Sequence, residues 1–293
     1  MPLIFTRRKI VNGKFSKKHA DKPGYYSFER PVANPRRWDA KSLTQSRWLS
    51  AIKADASTKD VLIHVHGFNS SQAGTLSRHR AIEGRLRAQG YKGAVVSYDW
   101  PTRAKGTPGA YEYDLTKNAP AISRYLVEDA ILPLLNMSWK PRVHLFAHSM
   151  GAFVVAHGFM QFGNSFGPGT GPWKVNHIIQ ASGDAHRDWY ETGAGASMSL
   201  EVHSRRLTNF NTRDDGVLTL SVAWNRFQKR VGLNGLPAQT SREHFNVDGT
   251  RNYRDTKSDF GGDNGKELLY SHRWWFESDW FFKRAARTLE IGR

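Results

Sequence analysis

The sequence predicts an α/β protein built on a mainly parallel β-sheet with helices on both faces. From residue 60 onward, short runs of β-branched and apolar residues alternate with helical segments. Polar and glycine-containing motifs directly follow several of these runs. Such alternation requires crossover connections and a parallel sheet, and ligand sites in these sheets lie beyond the carboxyl ends of the strands. The placement of the motifs therefore indicates an enzyme.

The strands and helices are predicted in the same order. Short apolar runs bounded by Gly, Pro or charged residues are typical of buried strands, and apolar residues at helical spacing are typical of helices. The predicted strands are residues 59–67, 92–101, 141–147, 175–183 and 205–211. The predicted helices are residues 70–90, 116–137, with a kink near Pro133, 151–163 and a final aromatic-rich helix within 271–293.

Composition excludes several classes of protein. The chain has 293 residues, of which 39% are hydrophobic, enough for one large core. No run of apolar residues is long enough to span a membrane, and the first residues lack a signal-peptide core. We therefore expect a cytoplasmic location. The absence of cysteine excludes disulfides, thiolate metal sites and cysteine nucleophiles.

Positive charge is concentrated near the N-terminus. The formal net charge is +17, and residues 1–60 carry 14 Lys and Arg against 5 Asp and Glu. We predict a basic arm, residues 1–58, packed on or extending from a catalytic domain of residues 59–293. The arm is a candidate for weak, non-specific binding to anionic polymers or membranes, and the alternative is a solvated basic surface. No nucleic-acid module accompanies the charge, so no specific nucleic acid is expected.

Two segments lack the periodicity of helices or strands. Residues 162–173 are rich in Gly and Pro and are predicted to form a loop. Residues 228–267 mix Gly, Asn and charged residues with few apolar ones. This second segment is predicted to be a long surface excursion of the catalytic domain.

The stretch RVHLFAHSMGAFVVAHGFM, residues 142–160, places one serine between a strand and a helix. A serine at the peak of such a turn needs small neighbours two residues away on each side, because the turn is tight. Ala147 and Gly151 occupy those positions. Ser149 is therefore predicted to be a catalytic nucleophile, and the alternative is a helix-capping serine.

A serine nucleophile requires hydrogen-bond donors for the oxyanion that forms during acyl transfer. The first helical residue, Met150, offers one backbone N–H group. The sequence His66-Gly67-Phe68-Asn69 ends the first predicted strand and is similar to oxyanion loops, so the N–H group of Phe68 is the second candidate. His66 itself is interpreted as a structural residue, and His64 as part of the strand.

The serine also requires a base and an acid that follow it in the chain. Asp215 follows the fifth predicted strand, and His272 lies in a predicted loop before the final helix. The order Ser149, Asp215, His272 is that of a Ser-His-Asp triad on an α/β-hydrolase scaffold. The alternatives are Asp214, Asp184 and Asp188 for the acid and His244 for the base.

Several of these motifs together resemble one family. The chain reads VHGFNSS, VVSYDWPTR, VHLFAHSMG, NTRDDGVLTLS and SHRWWF over residues 60–285, and this set resembles the bacterial α/β-hydrolases of the DUF900 family. The resemblance implies the α/β-hydrolase fold and serine hydrolase chemistry. It also implies that Asp215, which opens the pattern D-x-x-L-x-x-S, is the acid. The segment 228–267 is longer and the aromatic cluster at 274–276 heavier than in that family.

The predicted function is hydrolysis of a small-molecule or lipid-like ester by Ser149, His272 and Asp215, as in a carboxylesterase or lipase, without cofactor or metal. Asn69 and the aromatic residues Phe68, Trp100, Trp274 and Trp275 are predicted to line an apolar substrate pocket. The alternative is that the tryptophans pack against the last helix. Two other functions remain open: a binding protein on a degenerate hydrolase scaffold, and a basic arm that docks onto nucleic acid or another acidic partner.

Overall fold

One mixed β-sheet organises the protein, as a computed structural model describes it over residues 1–29, 32–102, 107–162 and 173–289. Within these ranges the sheet has nine strands in the order β3-β2-β1-β5-β4-β6-β7-β8-β9. The strands are β1 Leu3–Val11, β2 Lys14–Ser27, β3 Lys41–Leu43, β4 Asp60–Val65, β5 Ala94–Asp99, β6 Arg142–His148, β7 Val175–Ala181, β8 Ser204–Asn211 and β9 His244–Asp248. Among these nine strands, β2 runs in the direction opposite to the other eight. The predicted fold class is confirmed.

The helices cover the two faces of this sheet. They are α1 Gln45–Asp55, α2 Gln72–Ala88, α3 Pro108–Tyr113, α4 Ala119–Leu126, α5 Leu132–Leu135, α6 Met150–Phe162, α7 Gly195–His203, α8 Gly216–Trp224, α9 Val231–Asn234, α10 Thr250–Thr256, α11 Asn264–Arg273 and α12 Asp279–Thr288. None of the described helices is both long and apolar enough to cross a bilayer. Most of the predicted loop 162–173 lies outside the described residues, which omit 163–172.

Strands β4 to β8 match the five predicted strands, and their side chains pack on both faces of the sheet. In β4, Val61 and Ile63 belong to one apolar core, whereas Leu62 between them belongs to a second core on the other face. This alternation follows from the two-residue repeat of a strand. Burial on both faces explains why these strands read as continuous apolar runs.

The first 58 residues form part of the sheet, in place of the arm that their composition suggested. Strand β1 pairs in parallel with β5, and its residues Leu3 and Phe5 are buried in the core. Two of the basic residues of β1, Arg7 and Arg8, are also buried and pair with carboxylates inside the protein. The exposed basic residues of this region are spread along it, and four of the ten that the structure describes as exposed lie on β2. Charge counting could not separate the two groups, because it ignores burial.

The segment 228–267 also differs from the surface excursion that was predicted. It contains α9, α10 and strand β9, which pairs in parallel with β8 and ends the sheet. Only the first residue of β9 is buried, so the strand lacks the apolar run by which buried strands are recognised. Backbone pairing with β8 supplies its conformation.

The long helix predicted over residues 116–137 begins earlier, at Pro108, and is interrupted by two π-helical turns. These turns cover residues 114–118 and 127–131, and each precedes a proline, Pro120 or Pro133, in the first turn of the next helical segment. A proline has no N–H group for the helix ladder and crowds the carbonyl four residues earlier. A wider turn at that point accommodates both effects.

Several histidines are buried below the carboxyl edge of the sheet. His64, His66 and His79 are fully buried, and His148 is 2% exposed. Burial lowers the pKa of each of them, in the case of His79 to about 4. The folded protein therefore holds these rings neutral at pH values at which the unfolded chain binds protons.

This burial makes stability dependent on pH. An unfolded histidine titrates at about 6.5, so the unfolded state gains protons as the pH falls from 6.5 to about 4 while the folded state does not. For His79 alone the free energy of unfolding should decrease by about 2 kcal/mol between pH 7 and pH 5. Denaturant unfolding at both pH values should show that His79→Gln loses about that much less stability than the wild type. An identical loss in both proteins would contradict the prediction.

Candidate active site

Ser149 occupies a strained turn between β6 and α6. Its φ angle is +57°, a conformation that is uncommon for residues other than glycine. A Cβ atom at Gly151 would overlap the carbonyl oxygen of Val65, so α6 can begin at this point only with glycine there. Ala147 is fully buried. The predicted strand–turn–helix is confirmed, with small residues where the tight turn requires them.

The loop that follows β4 passes beside the Ser149 side chain. A Cβ atom at Gly67 would lie 2.5 Å from Ser149 Cβ and 3.0 Å from Ser149 Oγ. The backbone N–H groups of Phe68 and Met150 donate to no other group among the described residues. Met150 is the first residue of α6, where N–H groups have no partner within the helix. Both groups are thus free to donate to an oxyanion formed near Ser149.

His272 and Asp215 form a buried pair. His272 Nδ1 lies 2.8 Å from Asp215 Oδ2 and 3.1 Å from Oδ1. Asp215 is fully buried and also accepts a hydrogen bond from the N–H group of Leu218, which fixes the carboxylate at the start of α8. Because the carboxylate can only accept, Nδ1 carries the proton, and His272 Nε2 is left as a proton acceptor.

His272 lies in the last turn of α11, not in a loop as predicted. His148, next to Ser149 in the sequence, donates from Nε2 to the carbonyl oxygen of His272 over 2.9 Å. The two imidazole rings are 4.7 Å apart. The residue beside the serine therefore positions the backbone of the histidine, a role that sequence reasoning missed because the two lie far apart in the chain.

Ser149 and His272 line one cavity of about 190 Å³. Phe68 and Asn69 line it as well, and the other lining residues are Tyr111, Asp184, Val217, Leu220, Ser221, Trp224, Leu268, Leu269 and Arg273. Within the described parts of the chain, no hydrogen bond joins Ser149 Oγ to His272. The hydroxyl and the imidazole thus share a cavity without direct contact.

The prediction that three tryptophans form pocket walls is wrong. Trp100, Trp274 and Trp275 are at most 1% exposed, and none lines the cavity. Trp100 donates to the carbonyl oxygen of His66 over 2.8 Å and stacks on its ring. Trp274 and Trp275 belong to the second core with α12. Their size favours burial, and the predicted alternative, packing against the last helix, describes this pair.

Three of the four alternatives for the acid and the base lie away from the cavity. Asp214, although adjacent to Asp215, points to Arg254, whose Nε is 2.6 Å from its carboxylate. His244 lies on β9, where its Nδ1 is 3.3 Å from Thr240 Oγ1. Asp188 is exposed. Neither Asp214, Asp188 nor His244 lines the cavity.

Asp184 forms a second polar cluster at the same cavity. Its carboxylate accepts hydrogen bonds from Tyr111 Oη at 2.8 Å and Ser221 Oγ at 2.6 Å, and Arg230 Nε lies 3.3 Å from it. The Asp184 N–H group donates to the carbonyl oxygen of Ser149 over 2.9 Å. Sequence reasoning missed Tyr111, Ser221 and Arg230. Ser221 was detectable, since it is the last residue of the D-x-x-L-x-x-S pattern that Asp215 opens.

A buried ion pair supports the loop beside Ser149 from behind. Arg8 Nε lies 2.8 Å from Asp99 Oδ1, and an Arg8 terminal nitrogen donates to the carbonyl oxygen of Ser70 over 2.8 Å. Asp99 also lies 3.5 Å from His66 Nε2. Burial alone would raise the pKa of Asp99, but the charge of Arg8 and the contact with His66 lower it to about 2. His66 is a structural residue, as interpreted from the sequence.

Several solved structures are similar to this chain at low sequence identity. Among solved structures, a dienelactone hydrolase from Anabaena variabilis is 15% identical, with 75% of this chain and 85% of that chain covered and a TM-score of 0.37. The RedJ thioesterase of prodiginine biosynthesis in Streptomyces coelicolor is 16% identical, with 84% and 91% covered and a TM-score of 0.35. An esterase from Rhizomucor miehei is 12% identical, with 99% and 84% covered and a TM-score of 0.38.

A search of curated proteins finds no match. The sequence profile of one family, described as alpha/beta hydrolases of unknown function (DUF900), matches residues 41–259, which is most of the chain. The matched segment contains Ser149, Asp215 and the loop at Phe68, and His272 follows it. The protein belongs to the DUF900 family of α/β-hydrolases.

Proposed function

We propose that this protein is a serine hydrolase that cleaves carboxylic esters with Ser149 as nucleophile, His272 as base and Asp215 as acid. The observation that carries the proposal is the buried His272–Asp215 hydrogen bond at the wall of the cavity that contains Ser149. The base is oriented by a carboxylate, and its other nitrogen is free to accept a proton. This is the arrangement by which a serine hydroxyl is activated.

In the proposed reaction, His272 Nε2 accepts the Ser149 proton while Ser149 Oγ forms a bond to the ester carbonyl carbon. The negative charge that develops on the carbonyl oxygen is stabilised by the N–H groups of Phe68 and Met150. Collapse of this intermediate expels the alcohol, which takes the proton from His272, and leaves an acyl-enzyme. Water then releases the acid by the same sequence, with His272 again as base and then acid. Asp215 holds the imidazole and stabilises its charged form.

One observation favours a different function, that of a binding protein on the same scaffold. The Ser149 hydroxyl makes no hydrogen bond to His272 among the described residues, and Asp184, Tyr111 and Ser221 form a polar network at the same cavity. A small ligand could occupy the cavity through such groups without being hydrolysed. Covalent reactivity of Ser149 separates the two functions.

The proposed triad requires that Ser149 react covalently with a fluorophosphonate. A fluorophosphonate should add once to the wild-type protein, detected by intact mass, and not at all to Ser149→Ala. His272→Ala and Asp215→Asn should slow labelling strongly, the latter by up to about 10⁴-fold, because an asparagine favours the wrong imidazole tautomer. Asp214→Asn is the matched control and should stay within about twofold of the wild-type rate. Absence of labelling on folded wild-type protein would leave the binding function.

The second prediction concerns the acyl group. The cavity of about 190 Å³ is slightly larger than an engineered cavity of about 150 Å³ that binds benzene, so it suits a short acyl group. In a series of p-nitrophenyl esters, kcat/KM should therefore be highest from acetate to butyrate and lower by at least about tenfold for decanoate. Trp224→Ala removes a wall side chain and should reduce this preference. A preference of the wild type for decanoate would contradict the assignment of the cavity.

The third prediction concerns Arg8 as a positioning residue. Arg8→Met leaves Asp99 buried without its charge partner. It also removes the hydrogen bond from Arg8 to the carbonyl oxygen of Ser70, in the loop beside Ser149. Arg7→Met is the matched control, because Arg7 is adjacent to Arg8 on β1 and its side chain bonds to the buried Asp129 at 2.6 Å and to the carbonyl oxygen of Asp21, not to the loop beside Ser149. Each variant should lose about 3–5 kcal/mol of stability.

Only Arg8→Met should slow fluorophosphonate labelling of the folded protein, by about 10- to 100-fold. A displaced oxyanion donor should have a smaller effect than the roughly 10²–10³-fold loss that follows removal of one donor. Arg8→Lys should restore part of the rate. Equal labelling rates in Arg7→Met and Arg8→Met, measured below their unfolding temperatures, would show that Arg8 contributes to stability alone.

A further inference from the structure

Large apolar side chains are exposed at the mouth of the cavity. Leu220, Trp224 and Leu269 line the cavity and are 38%, 42% and 47% exposed. Phe227, in the turn that follows α8, is 80% exposed. We call these four residues the mouth rim. Single exposed apolar residues are ordinary, but a group of them beside a pocket marks an interaction surface.

Helix α8 has an unusual distribution of side chains. Its buried residues are Leu218 and Ser221, whereas Leu220, Ala223 and Trp224 are exposed. A surface helix normally presents polar residues on its outer side. An acyl group in the cavity would contact the inner sides of Leu220, Trp224 and Leu269, which line it, but would not cover Phe227, which does not. The outer part of the mouth rim therefore remains available to a second partner.

Unpaired positive charge accompanies the mouth rim, since Arg273 lines the cavity and Arg226 and Lys229 are within two residues of Phe227 in the sequence. Arg226, Lys229 and Arg273 are exposed and make no ion pair with any carboxylate that the structure describes. Arg226 lies between Trp224 and Phe227 in the sequence, and both Arg226 and Phe227 have positive φ angles, +52° and +62°. The turn is thus held in a strained conformation that exposes a cation next to an aromatic ring.

Apolar and aromatic residues beside unpaired cations match the surface of a bilayer that contains anionic lipids. Apolar side chains enter the boundary between headgroups and acyl chains, and the cations approach the negative surface. A water-soluble acidic partner would satisfy the cations but would leave Phe227 and Leu269 without an apolar environment. The charge and the apolar area together favour the lipid surface.

We propose that the mouth rim docks this protein on membranes that contain anionic lipids, with the Ser149 cavity open toward the headgroups. The docking surface is formed by α8, the turn at Arg226–Phe227 and α11. The basic strand β2 is not part of it. The proposal concerns binding and does not depend on the chemistry of Ser149.

The absence of cysteine in the chain allows a direct test. Ala223→Cys and Trp38→Cys, each labelled with an environment-sensitive dye, place one probe on the exposed side of α8 between Leu220 and Trp224, and one at a control residue that is 64% exposed. With vesicles of phosphatidylcholine and phosphatidylglycerol, the emission of the probe at 223 should shift to shorter wavelength, and that of the probe at 38 should not. With phosphatidylcholine alone, the shift should be much weaker. A shift at 38 only, or at neither position, would overturn the proposal.

Sedimentation with the same vesicles measures affinity. Arg226→Ser with Lys229→Ser should reduce binding by roughly 25-fold, at about fivefold for each cation, and Phe227→Ser by at least about tenfold. Lys17→Ser with Lys18→Ser, on β2, is the control pair and should retain most of the binding. Loss of binding in this control alone would assign the membrane contact to β2 and overturn the proposal.

Two further measurements separate membrane docking from catalysis and from self-association. Ser149→Ala should bind vesicles like the wild type, so a protein without labelling at Ser149 still tests the docking surface. Analytical ultracentrifugation without lipid should show no association that Phe227→Ser abolishes. Such an association would mean that a second copy of the chain covers the mouth rim, and would overturn the lipid assignment.

Discussion

The close approach of three chain segments around Ser149 is the constraint on which the rest of the site depends. The serine backbone is strained, Gly151 lets α6 start against the end of β4, and Gly67 lets the following loop pass beside the hydroxyl. Strain of this kind persists only where the surrounding structure holds it in place. Here the surroundings are the central strands β4 and β6, which are buried on both faces of the sheet.

Buried carboxylates support this turn from different strand ends. Asp99 is the last residue of β5 and, with Arg8, holds the loop beside Ser149 from behind. Asp184 follows β7, and its N–H group holds the carbonyl oxygen of Ser149. Asp215 follows β8 and holds His272. A buried carboxylate is costly without partners, and each of the three has several, so each fixes the position of a neighbouring segment.

The cavity and its mouth have different properties. Ser149, Asp184 and Ser221 provide polar groups inside a small volume, whereas Leu220, Trp224 and Leu269 present apolar surface around it. A small cavity limits the size of the group that can bind beside Ser149. Apolar side chains at the mouth favour contact with an apolar environment outside the cavity. The same helix, α8, contributes to both, since Asp215 caps its first turn and Trp224 ends it.

Local sequence patterns determined much of the fold and the chemistry of the site. The five central strands could be predicted because strands that are buried on both faces consist of continuous apolar residues. Ser149 could be predicted because a tight strand–turn–helix admits only small residues around it, and the pattern lies within five residues. Asp215 and His272 followed from chain order, although order alone left Asp214, Asp184 and His244 as alternatives.

Tertiary structure decided what depends on distance between segments that are far apart in the chain. In the sequence, Arg8 is one basic residue among many. In the fold it is buried and pairs with Asp99, 91 residues away. Strand β9 forms by pairing with β8, without an apolar pattern of its own. The tryptophans near Phe68 and His272 proved to be core residues, because hydrophobicity alone does not distinguish a pocket wall from a packed interior. The role of His148 in holding His272 required both residues to be brought together by the fold.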